Sequence, residues 1–272
     1  MIGVRVPVRL VTFNVHHGVG DDGRHDLPRL ARVLADADPD VLCLQEVDRH
    51  FAERSEFVDQ ALLLSSGLDL ELAWGPAIDE PGVGRTDRRQ YGNALLSRLP
   101  IGSTEIHSLP GAGEPRSALR VVVRLEGAEL AVTTTHLSNR SAADRAEQAA
   151  VLAGLQAAGV PGVVVGDLNA DAGAPELDVL RARLSDAWEL AADRTDQAGR
   201  FSLRAGQGLT HPARRPRIRI DQVWVTSGVS VADARVLDGS ATSDHHPLLV
   251  DLLVDPPAEP DVRPAPAPGD AG

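Results

Sequence analysis

Short apolar runs bounded by turn residues recur along almost the whole chain, as expected of strands buried on at least one face. Arg9 to Val15 and Asp40 to Gln45 read as core strands. Between them Asp26-Leu27-Pro28 starts a helix to about Ala37, with Leu27, Leu30, Val33 and Leu34 on one side. A second helix is predicted over Glu56 to Ser66. A strand-rich stretch follows, with Leu70 to Trp74, Asn93 to Ser97, Ile101 to His107, Ala118 to Leu125 and Leu130 to His136, punctuated by Leu99-Pro100 and Glu126-Gly127. Ser141 opens the longest helix, to about Ala158, with Ala149, Leu152 and Leu155 on its apolar side. Pro161 to Gly166, Arg219 to Thr226, Val229 to Val236 and Leu248 to Val254 complete the strands. Roughly ten strands or more against three or four helices suit two packed sheets with helices outside better than a doubly wound fold.

Pro76 to Arg89 and Arg194 to Arg217 are polar, rich in glycine and arginine, and read as long loops at a functional rim. From Asp255 the chain is mostly Pro, Ala, Asp, Glu and Gly without periodicity. The expected organisation is one domain over 1–254 and a disordered tail over 255–272.

Composition narrows the function classes. The net charge of -12, from 27 basic and 39 acidic residues, argues against broad non-specific affinity for nucleic acid. Aromatics make up only 3%, which argues against base-stacking platforms. The single cysteine, Cys43, rules out an intramolecular disulfide and lies in the apolar run Val41-Leu42-Cys43-Leu44, as expected of a buried, inert thiol. No run is long enough for a membrane span, and Met1 to Arg9 has no apolar signal-peptide core, so a cytoplasmic location is expected.

The chemistry sits at strand ends. Asn14 ends the first strand and Glu46 the second. Asp167 and Asn169 follow a third strand one residue apart, so both side chains are expected on one side of an extended segment. Asp221 is flanked by apolar residues, and Asp244-His245 precedes the last strand. Each of these alone reads as an ordinary strand-end or turn residue. Converging on one cleft, they would form an oxygen-rich cage suited to Mg²⁺ or Mn²⁺, and the lack of cysteine pairs or an HExxH pair disfavours zinc. No serine or cysteine stands in a nucleophile motif, so direct attack by water is expected.

In order, Phe13-Asn14, Leu44-Gln45-Glu46, Gly92-Asn93-Ala94-Leu95-Leu96-Ser97, Thr135-His136-Leu137, Gly166-Asp167-Leu168-Asn169, Ile220-Asp221 and Ser243-Asp244-His245 resemble the endonuclease/exonuclease/phosphatase superfamily. That group holds pancreatic-type deoxyribonucleases, abasic-site endonucleases, sphingomyelinases and inositol polyphosphate phosphatases. The resemblance runs from Thr12 to Asp251. It implies an α/β (α+β) four-layer sandwich, two packed and mostly antiparallel sheets flanked by helices, with the cleft at one sheet edge. It also implies that Glu46 is the principal metal ligand, aided by Asn14, with Asp244 reaching the same or a second ion. Asp167 and Asn169 would orient the attacking water and hold phosphoryl oxygens. His245, polarised by Asp221, would serve acid–base catalysis, and His136 would donate to a phosphoryl oxygen or protonate the leaving group.

Asn93, His17 and Arg140 are the substrate-binding candidates. His16 and His17 stand next to Asn14, where one of them is a candidate to touch substrate or metal and the other reading is a turn or supporting role, and Arg145 is a second candidate clamp for phosphate. Arg88, Arg89, Arg214, Arg215 and Arg217 are candidates for a basic rim. His246 is expected to point away from His245, and His25, His50, His107 and His211 are expected to be solvent or loop residues without supporting neighbours. The leading expectation is a divalent-metal-dependent phosphodiesterase or phosphatase acting on a small molecule or lipid head group. A DNA or RNA nuclease is the alternative, and a non-catalytic binding protein the third class. No obligate protein partner is evident in the sequence.

Overall fold

Strand alternation builds this molecule and also ends it in a site. The computed structural model describes residues 4–82, 84, 87–156, 160–196 and 206–256. Its strands are β1 (Val6–Asn14), β2 (Val41–Arg49), β3 (Glu71–Glu80), β4 (Arg89–Ser97), β5 (Ile101–Leu109), β6 (Arg116–Leu125), β7 (Ala128–His136), β8 (Gly162–Asp167), β9 (Ser185–Asp186), β10 (Asp193–Asp196), β11 (Asp221–Val225), β12 (Val229–Val236) and β13 (Leu248–Val254). The helices are α1 (Leu27–Asp36), α2 (Gln60–Leu68), α3 (Ala142–Leu155) and the short α4 (Asp178–Arg181) and α5 (Ala187–Leu190).

The strands form a seven-stranded sheet, β10-β12-β13-β1-β2-β4-β3, and a six-stranded sheet, β5-β6-β7-β8-β11-β9. Parallel pairs occur at β1–β2, β10–β12 and β7–β8, and the remaining pairs are antiparallel. Val8, Leu10, Val41, Cys43, Leu95, Leu119, Val132, Val163, Val165 and Val223 fill the space between the sheets. The alternate residues Val11, Phe13, Leu42 and Leu44 face outward and pack under α1 and α2. Val164 and Trp224 do the same under α3 and α4 on the other sheet. The result is the expected four-layer sandwich, and each fully buried aliphatic side chain in it is worth about 1.5–3 kcal/mol of burial. Cys43 is buried in the inner layer, and burial pushes its thiol well above the usual range.

Local signals set most boundaries. Asp26 caps α1 by accepting from Arg29 N at 2.9 Å, and Ser141 caps α3 by accepting from Asp144 N at 3.0 Å. Ala158, the expected end of α3, lies outside the described residues. The second helix does not begin at Glu56: Glu56 and Phe57 are left-handed, and α2 starts only after Asp59, whose carboxylate takes Leu62 N at 3.0 Å. Pro76 to Arg89 is not all loop, because β3 runs to Glu80 and pairs back onto β4 from Arg89. Of the second expected loop, Asp193–Asp196 forms β10 beside β12, and 197–205 lie outside the described residues. The expected tail over 255–272 lies outside them too from 257 onward. Asp255 is held by Arg5 at 2.7 Å.

Towards one end of the sandwich the inner layer turns polar. Gln45 Nε2 donates to Thr12 Oγ1 at 3.2 Å, to Cys43 O at 3.1 Å and, across the sheets, to Thr134 Oγ1 at 3.1 Å. The same inward parity then continues one step further, to Asn14 on β1, His136 on β7, Asp167 on β8 and Asp221 on β11. Gly166, just before Asp167, has φ +140°, and a Cβ there would stand 2.0 Å from Thr135 O. Gly166→Ala is therefore expected to lower stability by about 3 kcal/mol or more, read as a fall in thermal midpoint. An unchanged midpoint would show that β7 and β8 are not packed as described.

Candidate active site

Three strands of one sheet set a row of polar groups side by side. His136 is the register partner of Asp167 across the parallel β7–β8 pair, and Asp221 is its partner across β8–β11. All three are buried, at 6%, 1% and 0% exposure, so their polar atoms must be met by protein or ligand rather than by bulk water. His245, from the turn before β13, lies over this row. Its Nδ1 faces Asp221 Oδ2 at 2.8 Å, and its Nε2 is directed at Asp167 Oδ2 (3.7 Å) and Asn14 Nδ2 (3.5 Å). Ser243 fixes this turn: its hydroxyl donates to Asn14 O at 2.7 Å and accepts from His245 N at 3.1 Å.

The other sheet supplies Asn14 and Glu46. Strict alternation would turn Glu46 outward with Leu42 and Leu44. The β2–β4 register slips between Leu44 and Val47, and Glu46 adopts φ +58°, which brings its carboxylate round to the Asn14 side. Asn14 Nδ2 then donates to Glu46 Oε1 at 3.0 Å and to Asp167 Oδ2 at 3.0 Å, tying the two sheets together at this point. Its Oδ1 accepts from His16 N at 3.0 Å.

Imidazoles surround Glu46. His17 Nδ1 stands 3.7 Å from Oε2, and His136 Nδ1 stands 4.0 Å from Oε1. Both ring nitrogens are buried without a hydrogen-bond partner. Burial alone would raise the Glu46 carboxyl, but the facing His17 and His136 imidazoles and the Asn14 amide hold it below the usual range. Burial and the nearby Arg116 guanidinium push His136 down to about 3, so it stands neutral. His245 moves the other way: burial opposes its charge, but Asp221 and Asp167 outweigh that and favour the imidazolium. Burial raises Asp167, and the Asp221 charge adds to it.

Asn169 reaches the site differently from the extended segment expected. β8 stops at Asp167, and Asn169 is left-handed at φ +50°. Its N–H donates to Asp167 Oδ1 at 2.9 Å and its Nδ2 to Leu137 O at 3.0 Å. Asp244 is partly exposed at the mouth, between His16 Nδ1 (3.7 Å) and His211 Nε2 (3.9 Å). Three groups of described residues bring donor atoms close enough to share a cation: His16, His17 and Glu46; His211, Asp244 and His245; and Asp167, Asp221 and His245.

A family model described as the Endonuclease/Exonuclease/phosphatase family matches residues 11–245, which span every residue of this site. The chain belongs to that family. Its members are hydrolases of phosphoesters. The match is echoed in solved structures. An endonuclease/exonuclease/phosphatase from Beutenbergia cavernae is 29% identical, with 92% of this chain and 72% of that one covered at a TM-score of 0.72. A mannosyl-6-phosphatase from Bacteroides thetaiotaomicron is 18% identical, with 90% and 99% covered at 0.72. The human nocturnin catalytic domain, with a bound sulfate anion, is 21% identical, with 90% and 94% covered at 0.64. The two last share the fold. No curated protein sequence matches the chain.

Within this family fold the other candidates occupy varied positions. Asn93 is buried and bridges the sheets, its Nδ2 donating to Ser117 O at 3.0 Å. Arg140 is exposed just beyond β7. Arg145 is committed to Glu176 at 2.6 Å and to Ser138 O at 3.0 Å. Three of the five rim arginines are also met by acids: Arg88 by Asp79 (2.5 Å), Arg89 by Glu80 (3.5 Å) and Arg214 by Asp21 (3.1 Å). His246 turns away as expected, with Nδ1 accepting from Gly239 N at 3.0 Å.

His211 departs from its expected isolation, because its ring lies 4.6 Å from that of His245. Backbone bonds from His246 N to Thr210 O (2.9 Å) and Ala213 N to Asp244 O (2.7 Å) lay its loop against the turn that carries His245. Buried Arg116 beside His136 also carried no sequence signal, being one arginine among many. No helix among the described residues is long and apolar enough to cross a membrane.

Proposed function

We propose that the protein is a divalent-metal-dependent phosphodiesterase or phosphatase that hydrolyses small or lipid-linked phosphate esters by direct attack of water. The observation that carries this reading is the convergence of Glu46, Asn14, Asp167, Asp221, His136 and His245 from two sheets onto one polar end. The donor set there fits a hard or borderline cation. Glu46 is ionised and flanked by ring nitrogens that have no hydrogen-bond partner, a combination that a cation relieves. Glu46 is the principal ligand, with Asn14 holding it in place and Asp244 at the mouth available to the same or a second ion. A bound Mg²⁺ or Mn²⁺ supplies charge neutralisation at the phosphoryl oxygens.

The remaining chemistry belongs to the side chains. Asp167 and Asn169 orient water toward phosphorus. Neutral His136 donates a hydrogen bond to a phosphoryl oxygen, a role that suits a ring kept uncharged by burial and Arg116. His245, with Nδ1 committed to Asp221, uses Nε2 to move the proton as the new P–O bond forms and the ester P–O bond breaks.

The choice of small esters over nucleic acid rests on the net charge of -12 and on the acids that already meet Arg88, Arg89 and Arg214 at the rim. It is tested with bis(p-nitrophenyl) phosphate and p-nitrophenyl phosphate beside supercoiled plasmid, each with Mg²⁺ or Mn²⁺ at low and high salt. Turnover of the small esters with little salt dependence is expected. Plasmid nicking that falls steeply with salt would favour the nuclease, and no turnover of any substrate would sink the enzymatic reading.

A further inference from the structure

We infer that His17 is an additional ligand of the Glu46 metal site and that its imidazole tilts the site toward Mn²⁺ over Mg²⁺. This rests on the metal-dependent reading above and goes beyond it in naming a nitrogen donor and an ion preference. His17 is 9% exposed, and its Nδ1 has no hydrogen-bond partner although it faces an ionised carboxylate oxygen at 3.7 Å. That separation exceeds a hydrogen bond. It matches two donors that share one ion, since ligand atoms each about 2.1 Å from a metal stand roughly 3–4 Å apart, depending on angle.

The surroundings hold the ring in this place. Buried Gln60 donates its Nε2 to His17 O at 2.7 Å and accepts Asp48 N at 2.9 Å, so one side chain locks the His17 turn to β2, the strand that carries Glu46. Gly18 O accepts Asp26 N at 3.0 Å, anchoring the same turn to the start of α1. His17 itself is left-handed, at φ +44°, an uncommon conformation that these backbone bonds hold in place. A buried nitrogen held in an enforced backbone conformation and aimed at a carboxylate lacks only a cation. Imidazole discriminates between the two ions expected here: Mg²⁺ prefers oxygen donors and near-ideal octahedral geometry, while Mn²⁺ tolerates mixed nitrogen and oxygen ligands.

The test measures binding of Mn²⁺ and of Mg²⁺, each alone, to the full chain by calorimetry, with electron spin-echo spectra of bound Mn²⁺ for nitrogen coupling. His17→Asn is the main variant, because asparagine accepts the left-handed turn and lacks the imidazole. His17→Ala is the second, with circular dichroism to confirm the fold of each. The expected result is a loss of Mn²⁺ affinity of about 10-fold or more, a Mg²⁺ affinity changed less than about 3-fold, and weaker nitrogen coupling. Equal effects on both ions, or unchanged coupling, would overturn the inference. Glu46→Gln separates the two levels. If it abolishes binding of both ions while the His17 variants change nothing, the metal-dependent reading stands and the His17 assignment fails. If the unaltered protein binds neither ion, both fail.

Discussion

Glu46→Gln is expected to lower kcat/KM for any phosphate ester that the protein hydrolyses by about 10³-fold or more, equivalent to about 4 kcal/mol of transition-state stabilisation. The substitution keeps the shape of the side chain, and a glutamine oxygen can still accept the bond that Asn14 Nδ2 gives at 3.0 Å. What it removes is the negative charge. His17 and His136 face that charge, and a divalent ion needs it. The thermal midpoint of the metal-free protein should hold steady or fall slightly, because the contacts that keep this carboxyl below its usual range favour the charged form in the fold, while cation affinity collapses. Steady-state kinetics and calorimetry on one preparation check both halves. Retained turnover at saturating metal would move the principal ligand elsewhere.

Asp221→Asn should be nearly as damaging, for a different reason. Asp221 is fully buried, and its Oδ2 holds His245 Nδ1 at 2.8 Å. The neutral amide can still fill the space but no longer stabilises the imidazolium. Loss of acid–base catalysis on this scale costs about 10²–10⁴-fold in rate. The direction of the pH effect follows from the same contact. The Asp221 charge and hydrogen bond raise the His245 pKa, so removing them lowers it. A base must shed its proton to act, so the rising limb of the pH–rate profile should move to lower pH in the variant while its plateau falls. Histidine NMR titration gives the pKa change directly. An unmoved limb with an unmoved plateau would remove His245 from the proton path.

Alternation explains which parts of this arrangement a sequence discloses. Asp167 and Asp221 are legible because each interrupts or ends an apolar run in phase with inward-facing valines: Val163 and Val165 on β8, Val223 and Val225 on β11. His136 follows Leu130 and Val132 in the same way. The capped helices α1 and α3 are legible because their signals are local. Glu46 was recognisable from its family motif, but its direction was not, since a register slip and a left-handed backbone bring it to the cleft. The position of Asn169 likewise depends on a turn that the extended reading did not foresee. His211 is brought in by long-range backbone bonds from a loop with no periodicity. The arginine-rich loops show a further limit: composition counts charges, but only the fold reveals that acids stand opposite them.

Nine non-glycine residues among those described have left-handed backbones, and His16, His17, Glu46 and Asn169, all at the cleft, are four of them. Such conformations cost roughly 1 kcal/mol apiece, so strain is concentrated at the cleft end of the sandwich. Glycine at those positions would relieve the strain, and it would also remove Glu46 and Asn169, to which the proposed mechanism gives roles. On the proposed mechanism, thermostability and activity are set against each other at a handful of backbone torsions, and screens for hardier variants that keep activity should find their gains away from this end of the molecule.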